Sequence, residues 1–219
     1  HEHDARAAIG RVTAPVRARE AEFVAQEVHQ QQPALDLEEV CLHGGVYEEA
    51  ALQEAANFAE RTDAPRNSSA SYFVVQARVA LSQNRWTEAQ AKAQKAQAQA
   101  GTEIHAAAAE AALTICMAQT LSGAARQGET KCQQAVEAAR QASDPAVLAE
   151  SLLALAVTMA QVGDAAGAIS NALEAQQIFA GAGRRDCEWL AWLIAARASK
   201  ASGDIDKERE FATKAQEIL

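Results

Sequence analysis

The chain has 219 residues, enough for one sizeable domain or two small ones, and its formal net charge of −9 repels a phosphate backbone rather than attracting one. Nucleic acid and anionic membrane surfaces are thereby set aside as partners. The hydrophobic fraction is 49% but aromatics make up only 5%, much of the remainder being alanine, so a core must come from close helix contacts rather than bulky side chains. Alanine, glutamine, glutamate and leucine favour helices, while the 11 glycines and 4 prolines fall at punctuation points, so the expected fold is all-α.

Taken in chain order, residues 1–13 open with His1-Glu2-His3 and no initiator methionine. A histidine-rich start of this kind can chelate copper or nickel, but the same letters arise from a tag or a ragged fragment end, which is the reading adopted. The start implies a processed protein or a piece of a longer one. Residues 14–219 are expected to form a single domain. Its first element is a helix over APVRAREAEFVAQEVHQQQ, ahead of Pro33, placed to cover the open end of the helical stack that begins there.

Beyond Pro33 the chain repeats itself. GDAAGAISNALEAQQIF, from Gly163, superposes on GDIDKEREFATKAQEIL, from Gly203, at an offset of 40. Backward steps of 40, 39 and 39 from Gly163 reach Gly123, Asn84 and Gly45. An apolar-rich stretch precedes each of these turn residues and a small-residue stretch comes after it, so each unit reads as a helical hairpin. The units run approximately over 33–61, 68–101, 103–142, 145–181 and 186–219. Self-similarity at such a period is the mark of a solenoid. Glycine or asparagine suits the left-handed residue that ends a helix, and Asp144-Pro145 supplies an N-cap followed by proline at the first helical position.

At this point the units resemble tetratricopeptide repeats, in a long variety of 39–40 residues against roughly 34 in the common form. The fourth unit fits best, with Leu152, Leu155, Ala156, Met159 and Gly163 in the first helix and turn, and Ala168 and Ala175 in the second helix. Trp86 and Ala89 match in the second unit, Tyr47 and Ala50 in the first. Gly128 and Glu208 stand where the family has alanine. The resemblance implies a right-handed α-α superhelix of about five hairpins, with one side of the first helices facing a concave groove. It also implies either a non-catalytic interaction scaffold or, because similar long repeats occur in sensor regions of bacterial regulators, a ligand- or peptide-sensing regulatory domain.

Chemistry is sparse. There is no nucleophile elbow, phosphate loop, HExxH or close CxxC pair, so neither an enzyme nor a cofactor nor a metal site is expected. Cys41, Cys116, Cys132 and Cys187 lie 75, 16 and 55 residues apart, which fits neither zinc ligation nor a dense disulfide framework; buried thiols are expected. Glu48, Glu49 and Glu54 read as a solvated face, and His29, His43 and His105 suggest no site. The richest apolar stretch, ESLLALAVTMAQVGD, is broken by Thr158, Gln161 and Asp164, so membrane insertion is not expected.

Two sets of first-helix residues are candidates for partner contact. Ten positions before each turn stand Leu35, Val74, Leu113, Leu153 and Leu193; four residues on come Glu39, Arg78, Met117, Val157 and Arg197. One reading makes them an apolar stripe lining a groove for an amphipathic segment, with Arg78 and Arg197 pairing its carboxylates. The other has the aliphatic ladder packing neighbouring first helices together. The lysines and asparagines of the family's clamp for chaperone tails are missing, which argues against that role. The expected partner is a protein or peptide segment. Phe211, Ile218, Trp189 and Trp192 either leave an apolar face on the last hairpin, where a second copy of the chain or further residues of its own would dock, or turn inward while the helix frays; docking is the expected outcome.

Overall fold

The computed structural model describes residues 66–101 and 104–218, with side chains from 69 onward. The expected turn at Gly45, the first unit, the helix before Pro33, and Leu35, Glu39 and Cys41 lie outside the described residues. Every regular element among the described residues is helical: α1 (Arg66–Ser82), α2 (Trp86–Ala100), α3 (His105–Leu121), α4 (Ala125–Ala142), α5 (Pro145–Val162), α6 (Ala165–Gly181), α7 (Arg185–Ser202) and α8 (Ile205–Ile218).

The four turns expected within hairpins are where the sequence places them. Asn84, Gly123, Gly163 and Gly203 all have positive φ, at 59°, 83°, 92° and 82°. At each turn the following amide reaches back five residues to a carbonyl, Arg85 to Ala80, Ala124 to Gln119, Asp164 to Met159 and Asp204 to Ser199, at 2.9–3.0 Å. That wide bond closes the orphan carbonyls of the first helix. The repeated Gly-Asp pair now has a mechanical meaning. Glycine ends one helix, and aspartate starts the next: Asp164 Oδ1 accepts from the Gly167 amide at 2.9 Å and Asp204 Oδ1 from the Lys207 amide at 3.1 Å. Asp144 caps α5 in the same way, accepting from Ala146 and Val147, with Pro145 at the first helical position.

Packing runs in chain order. Each helix lies against the next, and the first helices α1, α3, α5 and α7 also touch one another in series, most lightly at the α5–α7 step; the second helices show no comparable contact. In a bent two-layer stack the layer whose members approach each other is the inner one, so the architecture is an all-α superhelix with the first helices on its inside.

Small residues set the spacing between layers. Ala89, Ala93, Ala96 and Ala100 are the buried residues of α2, and Ala168, Ala172, Ala175 and Phe179 those of α6. In the third unit Gly128, Cys132, Ala135 and Ala139 take the corresponding places, all buried. Gly128 stands for alanine because of its neighbour: a Cβ there would lie 3.3 Å from Thr120 Oγ1 and 3.4 Å from Gln119 Cβ. Helix α5 is long and apolar enough, by length and composition, to cross a membrane, with a mean hydropathy of 1.6. Its Leu152, Leu153, Leu155 and Val157 are instead buried in the core, where α5 meets α3, α4, α6 and α7.

Two of the four cysteines depart from expectation. Cys116 and Cys132 form a disulfide, with Cα atoms 4.7 Å apart, rather than two thiols. The gap of 16 residues carries the chain up α3, round the Gly123 turn and back along α4, which brings the two side chains face to face. Cys187 is buried and takes no part in a disulfide.

Two substitutions test the turn and the helix contact. No atom lies within 4 Å of a Cβ added at Gly163, so Gly163→Ala suffers only the left-handed backbone and is expected to lose about 1–2 kcal/mol in denaturant unfolding. Ala172 is fully buried whereas Ala212, its counterpart in the last hairpin, is half-buried. Ala172→Leu is therefore expected to cost about 1–3 kcal/mol by overpacking and Ala212→Leu clearly less; equal melting curves for the two would contradict the assigned contact.

Candidate functional site

The first-helix residues chosen from sequence separate into two groups. Val74, Leu113, Leu153, Met117 and Val157 are 2–7% exposed. Leu113, Met117, Leu153 and Val157 join one hydrophobic cluster that runs from α1 to α8, with the half-buried Leu193 packed against it, while Val74 belongs to a second cluster built on α1, α2 and α3. A groove lined by these side chains is not open to a partner. The cause is the close approach of the first helices, which leaves Ala111–Ala118 of α3 and Ser151–Thr158 of α5 buried without a break.

Arg78 and Arg197 stay half-buried at the surface. Arg78 is already engaged within the chain: its guanidinium lies 3.6 Å from Glu110 Oε2 and 3.7 Å from Glu150 Oε2. Three successive first helices thus contribute one side chain each to a polar strip. Glu110 and Glu150 sit at the same place in consecutive units, 40 residues apart, so the strip is itself a product of the repeat. Sequence reading singled out Arg78 but missed both glutamates; their recurrence at the repeat period was the available signal.

Burial dominates the electrostatics of the strip. It pushes the Glu110 and Glu150 carboxyls above the usual range, with Arg78 opposing the shift at both and Arg184 opposing it at Glu150. Asp144 adds repulsion at both carboxyls, and Glu110 at Glu150. Next along the array Arg184 holds Asp186 through two guanidinium nitrogens at 3.0 Å. Burial alone would raise the Asp186 carboxyl, but the hydrogen bond and charge of Arg184 bring it below its ordinary value.

The last hairpin is more self-contained than its sequence suggests. Trp189 and Phe211 are buried, at 5% and 7% exposure, and Trp192 and Ile218 are half-buried. The Phe211 ring packs 5.5 Å from Trp192, and Lys214 Nζ lies 4.6 Å over the Trp192 ring. The expected apolar face is therefore closed, because α8 turns Phe211 inward and lays a lysine stem over the tryptophan. Ile205 is the large hydrophobic residue that remains exposed among the described residues. Two surface depressions accompany these features. One of about 390 Å³ lies between the Gly123–Gln127 turn and Gln161-Val162; the other, of about 500 Å³, lies along the outer side of α8 between Asp206 and Glu217. Both are open to solvent.

No protein-family profile and no curated protein sequence matches the chain. In three dimensions it is similar to BtubC (BKLC) from P. vanneervenii, whose crystal structure superposes with a TM-score of 0.66 at 16% identity, over 78% of this chain and 71% of that one. At that identity the likeness is one of fold.

The buried carboxylates give the strip a pH signature. A raised carboxyl pKa adds stability that is complete below the unfolded value of 4.5 and is lost as pH climbs through the folded value. Acidification from about pH 7.5 to about 5 is accordingly expected to favour the fold through Glu110 and Glu150. Glu150→Gln, which cannot ionise, is expected to show a smaller gain in Tm over that range than wild type; an unchanged slope would mean that Glu150 carries no such shift.

Proposed function

We propose that this chain is a non-catalytic interaction module of tetratricopeptide-like repeats, which binds a protein or peptide segment through the polar margin of its first helices. The observation that carries this reading is the strip from Arg78 through Glu110 and Glu150 to Arg184 and Asp186. It places charged groups from four successive units on one partly exposed line, its two ion-paired parts linked by the charge of Arg184 acting on Glu150. An extended partner can pair with such a line along its length, whereas the buried aliphatic ladder has nothing to offer it. That arrangement sets the partner's chemistry: charged groups of both signs rather than an apolar helix face. A ligand-sensing role needs an enclosed, convergent pocket, and the two open depressions lend it no support.

The test uses the immobilised chain against extract from its native source, with Arg78→Ala/Arg184→Ala as the altered surface and Arg209→Ala, on the outer side of α8, as the control. A protein retained by wild type and by the control, released at about 0.5 M salt and lost with the double variant, supports the assignment. Equal retention by all three chains, or retention insensitive to salt, rules out the polar strip as the contact.

A further inference from the structure

The third hairpin differs from its neighbours in four related places. Cys116 and Cys132 occupy the positions held by Ala77 and Ala93 in the second unit and by Ala156 and Ala172 in the fourth. Both sulfurs belong to residues with no exposed surface. Thr120 Oγ1 lies 3.7 Å and Thr158 Oγ1 3.3 Å from Cys132 Sγ, and the two hydroxyls are 2.7 Å from each other. Gly128 lacks the Cβ that would crowd Thr120.

A permanent cross-link between two alanine-like positions would need none of these hydroxyls. Their proton count is also short. Each hydroxyl has one hydrogen, yet Thr120 faces the Cys116 carbonyl at 3.0 Å and Thr158 the Ala154 carbonyl at 2.8 Å, and the two oxygens face each other as well. A disulfide sulfur can only accept, whereas a thiol at Cys132 brings a further hydrogen, which Thr158 Oγ1 is placed to receive. The polar neighbourhood therefore serves the open form of the pair better than the closed one.

We infer that Cys116 and Cys132 form a reversible redox pair, a buried staple across the α3–α4 hairpin whose reduced state is stabilised by the Thr120–Thr158 hydroxyls. Closure takes two electrons from the pair. One cysteine thiolate attacks a small-molecule disulfide RS–SR and expels RS⁻; the second then attacks the resulting mixed disulfide, forming the Cys116–Cys132 bond and expelling another RS⁻. The two protons released by the cysteines end on the two RSH molecules, and reduction by two RSH runs the same steps backward. Since both sulfurs are buried, exchange requires the hairpin to open, so the staple changes state slowly while the stack is intact and readily when α3 and α4 separate.

The pair is tested on the whole chain, equilibrated with oxidised and reduced glutathione at a series of ratios, trapped with an alkylating agent in denaturant and read peptide by peptide by mass spectrometry. Cys116 and Cys132 are expected to convert together across the series. Thr158→Val is expected to favour the disulfide by about threefold to tenfold, the loss of one hydrogen bond to the thiol, with Thr158→Ser restoring the wild-type ratio. Thr158→Ala, which removes the same acceptor, serves if Thr158→Val does not fold. Cys116→Ala/Cys132→Ala, which restores the alanine pair of the other hairpins, is expected to fold and to lose the dependence of Tm on the glutathione ratio. Thiols alkylated at every ratio, a disulfide that no ratio opens, or hydroxyl variants that leave the ratio unmoved would overturn the assignment.

Discussion

Everything in this stack depends on how closely the two helices of a hairpin can approach. The buried side of α2 is made of four alanines, and α4 and α6 repeat the pattern with Gly128, Cys132, Ala135 and Ala139 and with Ala168, Ala172, Ala175 and Phe179. Side chains this small put the backbones near contact, so the driving force comes from many short van der Waals contacts instead of a few large side chains. A composition rich in alanine and with only 5% aromatics suits a core built in this way. The larger residues are then concentrated in the first helices, where Leu113, Leu152, Leu153, Leu155 and Leu190 fill the space between successive units.

The turns convert that contact into a register. With a left-handed residue at 84, 123, 163 and 203 and the same backward hydrogen bond after each, every second helix starts from the same kind of turn. The small positions of the two helices then meet without adjustment in each unit. Two units add an aspartate cap and two do not: Arg85 and Ala124 occupy the cap position without a side-chain bond. The backbone geometry of the turn is thus the shared element, and the cap is an addition to it.

What was legible in the sequence is what depends on one unit at a time. The turn residues, the Asp144-Pro145 start of α5 and the small positions of the second helices are local chemistry repeated at a period, and a single chain displays them directly. Contacts between units were harder to read. The burial of Val74, Leu113 and Leu153 depends on the distance between neighbouring first helices, which no single unit encodes, so groove and core looked alike in sequence. Arg78 was visible as a charged residue, but its partners lie on α3 and α5, in the two following units. The disulfide escaped notice because the repeat register places Cys132 at a small position without showing what faces it. Cys116 is 40 residues before Ala156, the small residue of the best-fitting first helix. That coincidence would have paired the two.

Closing the inner layer has a consequence for recognition. When first helices are separated, an apolar groove can take up an amphipathic segment and draw its affinity from buried area. Here the apolar side chains are spent on holding α3, α5 and α7 together, and what reaches the surface is the line of Arg78, Glu110, Glu150, Arg184 and Asp186. Within that line the cations are already balanced by carboxylates of the chain itself. On the proposed reading, a partner would exchange ion pairs rather than supply missing ones, so part of what it gained at each contact would be lost at the one it displaced. Recognition of the proposed kind would depend on the pattern of charges along the array more than on the strength of any single pair, and its reach would be set by how many units keep the strip in phase.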